Sequence, residues 1–495
     1  MVLMRKSVIY KISGIVIVLF WLFVLGELVK RNHFDEKNAG ITDIGNINYE
    51  GADSQEWMEI FLKGRKVGYT VTSLKKSKSG FEVRERIFLT VNLMGSVREI
   101  MSYTKAELDE KFFLKDFDFS LISNLVVFKM SGTLKGQDLS ITLGEKGKET
   151  STLVRLPSKP MVSAGIMQFF RSRKLKAGES FTFPVFDPVT MTTNSAIIKV
   201  LGKETIKLEG KPYKAFRLEM NLLGRQLFFW LDENGISLKE EGFMGFTLVR
   251  STPDKSLLGL DSSTSTDFYD LSAIKIEKEI HNPLELSYLK VQLNQVPSSL
   301  PVDGLRQTLN SNILEIKKEV PPFKALYDIP YKGNDNSLLN HLNPEMFIES
   351  DDKEIIGLAE KIVGKTSDPF TAAHMILAWV FNNLEKTPVI SVPDAKEILV
   401  SKKGDCNEHA TIMTALLRAA GIPAKTIVGL VYKDGKFYYH AWNEAYINQW
   451  MSMDATLDQM PADATHIKLI SGGIEKQIQL VGIIGNLELN ILDYR

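Results

Sequence analysis

The stretch Lys402-Lys403-Gly404-Asp405-Cys406-Asn407-Glu408-His409-Ala410 holds the only cysteine of a 495-residue chain. From Asn407 onward the apolar residues Ala410, Met413, Leu417 and Ala420 recur at helical spacing until Gly421-Ile422-Pro423 stops the run. Cys406 is therefore expected in the first turn of a buried helix, where unpaired backbone N–H groups and the helix dipole favour a thiolate. Beyond the helix, 424–430 reads as a strand, Lys433-Asp434-Gly435-Lys436 as a hairpin turn and 437–447 as the returning strand. His440 lies on that returning strand, 34 positions after the cysteine, and shares a face with Trp442, Glu444 and Tyr446. Asn448-Gln449 can turn the chain again, so that 450–454 pairs with the histidine strand and carries Asp454 to the imidazole. A thiol, a base and a carboxylate so placed can act as nucleophile, proton carrier and orienting group. Asn443, beside His440, is the next candidate for the orienting role.

The order Gly-Asp-Cys-Asn-Glu-His-Ala at 404–410, Leu-Leu-Arg-Ala-Ala-Gly-Ile-Pro-Ala at 416–424, His-Ala-Trp-Asn-Glu at 440–444 and Met-Asp-Ala-Thr at 453–456 resembles the transglutaminase-like superfamily. The core of that family is a papain-related Cys-His-Asp fold. The resemblance implies Cys406 as nucleophile, His440 as base and Asp454 as orienting acid, within an α+β domain at 345–495. Members act as protein-glutamine acyltransferases, thiol proteases or peptide amidases, and some have lost chemistry. For this chain it implies acyl transfer or hydrolysis at a peptide or glutamine amide carbonyl through a Cys406 thioester. The alternative is a catalytically weak or inactive peptide-binding or assembly module. The family also places an oxyanion-hole side chain some tens of residues before the cysteine, and here 381–404 offers only Asn382, Asn383 or Thr387.

A metal site is the competing use of these residues, since Cys406 and His409 could share a helical face. Structural zinc takes four protein ligands and catalytic zinc three, and His33, His281, His341, His374 and His466 show no ligand spacing, so neither a metal nor a cofactor is expected. Sixty basic residues balance sixty acidic ones, which argues against a nucleic-acid partner. A hydrophobic share of 44% supports sizeable cores, and the length suggests two to four domains. One cysteine excludes an intrachain disulfide.

Working outward, residues 1–31 carry Arg5, Lys6 and Lys11 ahead of an apolar run at 12–29 broken only by Ser13, Gly14, Gly26 and Glu27. At about 1.5 Å per residue such a run reaches across roughly 30 Å of hydrocarbon. It is expected to be an uncleaved single-pass anchor in the cytoplasmic (inner) membrane, with the bulk of the chain periplasmic. Residues 32–52 read as a linker. From 53 to 250 short strands and turns alternate, strands at 194–201 and 205–208 among them, with a helix at 161–170, which predicts a large curved antiparallel β domain with a crossing helix. Its opening, Trp57 followed by Lys63 to Tyr69, is similar to the curved-sheet domains of envelope lipoprotein carriers. Residues 251–270 read as a linker and 271–325 as a small β module that resumes strand character at 274–280. The implied partners are a peptide, protein or peptidoglycan-stem substrate and the inner membrane, while the oligomeric state stays open.

Overall fold

The structure, a computed structural model, describes residues 54–495 apart from short segments at 94, 124–126, 145–149, 172, 189–190, 261–266, 298–299, 301, 305, 323–324, 389–391, 393 and 482. The anchor expected at 12–29 and the linker at 32–52 lie outside the described residues. Among the described residues no helix is long and apolar enough to cross a membrane.

Fourteen antiparallel strands between Ser54 and Ser251 make one sheet. Eight strands, Ser54–Leu62 through Thr150–Arg155, lie side by side in sequence order, and six more, Ser180–Asp187 through Phe246–Ser251, do the same. The last of these pairs back onto Ser54–Leu62 and joins the two runs. Bulges at Ile60/Phe61, Glu107/Leu108, Val200/Gly202 and Trp230/Leu231 sharpen the local twist, so the sheet curls. Two strands expected at 194–201 and 205–208 are a single strand, Thr192–Leu208, bent at one of these bulges. The helix Ser163–Arg171 joins the two runs, and its Phe169 and Phe170 meet Phe181 and Phe183 edge-on with centroids 5.1–6.3 Å apart. Each such buried ring contributes about 1.5–3 kcal/mol.

In the C-terminal part, the helices Lys353–Val363, Pro369–Asn383 and Ala395–Ser401 pack on the cysteine helix, Cys406–Ala419, around a core of Ile355, Ile376, Ile412 and Leu416. The cysteine helix also covers a five-stranded sheet. Its central hairpin, Ala424–Lys433 and Lys436–Ile447, turns at Asp434 and Gly435, both at positive φ (48° and 78°), as a two-residue hairpin loop requires. Ile467–Ser471 flanks one side, while Ile274–Lys275 and Gln449–Met453 pair with opposite ends of the histidine strand Lys436–Ile447.

The segment 271–325 does not stand as a module by itself. Its strands Tyr288–Asn294, Gln307–Asn310 and Ile313–Lys317 form a sheet with Glu488–Tyr494 at the other end of the chain. Leu289, Val291, Leu314 and Ile316 share one core with Val428, Leu430 and Ile467 of the active-site sheet. Three short strands can hide only one face by themselves, so they borrow both an edge and a floor. The strand expected at 274–280 is reduced to Ile274–Lys275. The polar stretch at 251–270 is structured at both ends, with Thr252 capping Pro253–Leu257 and Asp267 capping Phe268–Ser272.

Candidate active site

The start of the cysteine helix is built before any chemistry is considered. Asp405 is its N-cap and accepts from the N–H of Asn407 at 3.0 Å, while Glu408 Oε2 accepts from the N–H of Asp405 at 2.9 Å, closing a capping box. A Cβ at Gly404 would stand 2.2 Å from Glu408 Cβ, so only glycine lets that box close. Gly-Asp-Cys-x-Glu is thus a helix-start device as well as a chemical motif.

Cys406 is half-buried. The backbone N–H of Ala441 lies near enough to favour the ionised sulfur, which puts the thiol close to the residue that follows His440. His440 Nε2 lies 2.6 Å from Oδ2 of the fully buried Asp454. The other oxygen of Asp454 accepts from the N–H groups of Thr456 (2.7 Å) and Leu457 (3.1 Å). A carboxylate only accepts, so Nε2 carries the proton, and in the neutral ring Nδ1 keeps the lone pair for the thiol. The helix and the hairpin therefore bring Cys406, His440 and Asp454 together in the order that the sequence suggests.

Behind this pair stands a residue that spacing did not reveal. His466 is fully buried, with Nε2 3.0 Å from the same Asp454 Oδ2 and Nδ1 3.3 Å from Asp463 Oδ1. Burial alone would raise Asp454, but the charge and hydrogen bond of His440, with those of His466, hold it far below the usual carboxylate range. Burial likewise opposes the shift at Asp463, which His466 and Thr465 nevertheless hold down to about 2. His466 is pushed down by burial and up by its hydrogen bonds to Asp454 and Asp463, and the hydrogen bonds win. Donor-type atoms of His440, Asp454 and His466 fall within 4.8 Å of one another. Both nitrogens face one oxygen at hydrogen-bond distance, so the cluster shares protons rather than opening toward a cation. The one available sequence signal was Asp463-x-x-His466, a carboxylate three residues before an imidazole.

Other candidates are spoken for. Asn443 donates to Ala410 O (2.8 Å) and Thr414 Oγ1 (2.7 Å), which pins the histidine strand to the cysteine helix and leaves the orienting role to Asp454. Asn382 and Asn383 donate back to Ala378 O and Trp379 O of their own helix, and the Thr387 hydroxyl donates to Glu385. None of the three is aimed at an oxyanion. His409, one turn after Cys406, sets Nδ1 2.6 Å from Asp405 O, and its buried Nε2 has no partner among the described residues.

The thiolate expected at Cys406 is disfavoured by its surroundings. Burial, then the charge of Asp405, raise the thiol well above its ordinary value and outweigh the Ala441 N–H. The cap that starts the helix sets its carboxylate near the sulfur, where its charge opposes the dipole that was expected to help. Tyr269, from the segment after 266, donates its hydroxyl to Asp405 Oδ2 at 2.9 Å.

A helix-borne thiol beside a strand-borne histidine, with an aspartate directly after the neighbouring strand, defines a papain-like thiol site. Residues 356–455 match the transglutaminase-like superfamily core, and residues 140–239 match DUF3108, a family of unknown function. An uncharacterized protein of Haemophilus influenzae is 34% identical over 95 residues, 17% of this chain and 26% of that protein, so the match spans about a quarter of its length. Among solved structures, the periplasmic domain of TgpA from Pseudomonas aeruginosa, bound to ethylmercury, is similar at 15% identity over 42% of this chain and 91% of that one, with a TM-score of 0.25. A beta-barrel-like protein of domain of unknown function DUF1849 from Brucella abortus is similar at 14% identity over 40% and 95%, with a TM-score of 0.31.

Proposed function

We propose that this chain is a thiol-dependent hydrolase or acyltransferase acting on a peptide or glutamine amide carbonyl through a Cys406 thioester. The observation that carries it is the junction of the cysteine helix with the histidine strand: Asn443 pins the strand to the helix at Ala410 O and Thr414 Oγ1, and His440 Nε2 lies 2.6 Å from Asp454. His440 Nδ1 takes the thiol proton as sulfur bonds to the carbonyl carbon and the π electrons move to oxygen. The tetrahedral species collapses, the C–N bond breaks, and the imidazolium gives its proton to the departing amine or ammonia. Water or an amine then attacks the thioester with His440 again as base, freeing the acyl product and the thiol. Asp454 stays ionised throughout. The N–H of Cys406, at the first helical position, has no acceptor within its own helix and is a donor for the oxyanion.

The apolar run at 12–29 supports a single-pass inner-membrane protein with its bulk in the periplasm, and hence peptides, proteins or peptidoglycan stems as substrates. One observation favours a second reading, a catalytically weak peptide-binding module: the raised thiol with Tyr269 bonded to Asp405 beside it.

Incubating the full-length protein with a glutamine-containing peptide, with and without a primary amine, separates the two. The enzyme reading expects an acyl-protein adduct by mass spectrometry, with ammonia or new peptide ends released, and neither with Cys406→Ala or His440→Ala. Peptide binding with no adduct and no product would overturn it in favour of the module.

A further inference from the structure

The cavities inside the fourteen-stranded sheet take no part in this chemistry. Cross-strand register sets Glu56, Thr72, Glu85 and Thr104 side by side in a row that continues to Phe119 and Met130. A second row runs Ile60, Leu248, Glu240, Phe229 and Leu218. Phe119, Met130, Phe229 and Leu218 belong to the main core of the sheet, so both rows lie on its inner face. Glu85 and Glu240 are thus carboxylates at positions where a strand's period of two places apolar side chains.

Both face a cavity of about 260 Å³, whose wall also includes Glu56, Thr70 and an apolar surface that contains Ile87, Leu222 and Phe229. Glu85 further lines a neighbouring cavity of about 240 Å³. Glu56 is matched by Arg171 at 2.6 Å, and Glu240 accepts from Ser237 Oγ at 2.8 Å. Glu85 has no ion-pair or hydrogen-bond partner among the described residues. Thr70, only 6% exposed, has a hydroxyl with no partner, on the wall of the same cavity. Burial pushes Glu85 up to about 7 and does the same to Glu240, where the charge of Glu85 adds to it against the Ser237 hydrogen bond.

Half-buried carboxylates on an inward face favour a compensating positive charge, and Arg171 already serves Glu56. An ammonium group offers three N–H donors, enough for two carboxylates and the idle Thr70 oxygen. The remaining wall is apolar, and 260 Å³ equals about nine waters at roughly 30 Å³ each, room for a short aliphatic chain. We propose that the inner face of the sheet binds an amphipathic primary amine, its ammonium held by Glu85, Glu240 and Thr70 and its chain against Ile87, Leu222 and Phe229.

The test is calorimetric titration of octylammonium, octanoate and 1-octanol into the purified full-length protein at pH 8, where the amine is cationic. One saturable octylammonium site per chain is expected, with the two controls at least tenfold weaker. Glu85→Gln should weaken octylammonium at least tenfold and erase the preference while the circular dichroism stays unchanged. Should that variant fail to fold, Glu240→Gln is read in its place, and the wild-type preference among the three probes stands as a separate criterion. Equal binding of the three probes, no saturable binding, or undiminished affinity in the folded glutamine variant overturns the proposal.

Discussion

Asp405 works against ionisation of the thiol it positions. Its carboxylate starts the helix, a cap typically worth about 1 kcal/mol, and the same charge raises the thiol next door. Asp405→Asn keeps a good cap and removes the charge, so iodoacetamide should modify Cys406 several-fold faster at pH 7, and its pH–rate midpoint should fall. An unchanged midpoint would leave burial as the whole cause. Asp454→Asn should preserve the fold and lower turnover by about 10⁴, as in other triads whose acid becomes an amide. His466 acts one bond further back. Removing a cation from behind Asp454 with His466→Gln should move the acidic limb of the pH–rate profile to higher pH, a change that mere loosening would not cause. The same cluster sets a stability window. Asp463, lowered from 3.8 to about 2, stabilises fully above 3.8 and loses that contribution as pH falls toward 2. His466, raised from 6.5, stabilises fully below 6.5 and loses its contribution as pH climbs through its folded value. Thermal melts should therefore show this cluster's stabilisation greatest between pH 4 and 6.5, with the alkaline decline reduced in His466→Gln.

Elements built from local pattern were legible. The cysteine helix, the Asp434-Gly435 hairpin and the strand that leads to Asp454 were all readable from helical spacing, turn residues and period-two alternation. Strand identity was readable in the β domain too, but the bulge merging two strands into Thr192–Leu208 was not, because a bulge depends on what its partner strand demands. Gly404 belongs to this scale. With Glu408 Cβ 2.2 Å from any added Cβ, Gly404→Ala should force the capping box open and cost about 1–3 kcal/mol. A urea midpoint within error of wild type would show that Glu408 moves aside freely. The oxyanion candidates failed here for a local reason as well, since both asparagines satisfy carbonyls one turn back on their own helix.

At the scale of the whole molecule, the two ends of the C-terminal region are one body. Glu488–Tyr494 pairs with Tyr288–Asn294, and Leu489 enters the core that also holds Val428 and Ile467. Deleting residues 488–495 should therefore lower the melting temperature of the active-site region itself and speed alkylation of Cys406, whereas a self-standing module at 271–325 would melt separately and leave the thiol unaffected. The sequence by itself determined the places of Cys406, His440 and Asp454 and the elements that bear or lead to them, because each is written in spacing of a few residues and in turn chemistry that acts locally. Only the tertiary structure decided what surrounds them. His466 behind Asp454, Tyr269 on Asp405, the borrowed last strand and the inward carboxylates Glu85 and Glu240 all depend on contacts between residues far apart in the chain or on the face a strand turns inward. Burial and long-range charge set their energies, and neither quantity exists until the chain has closed on itself.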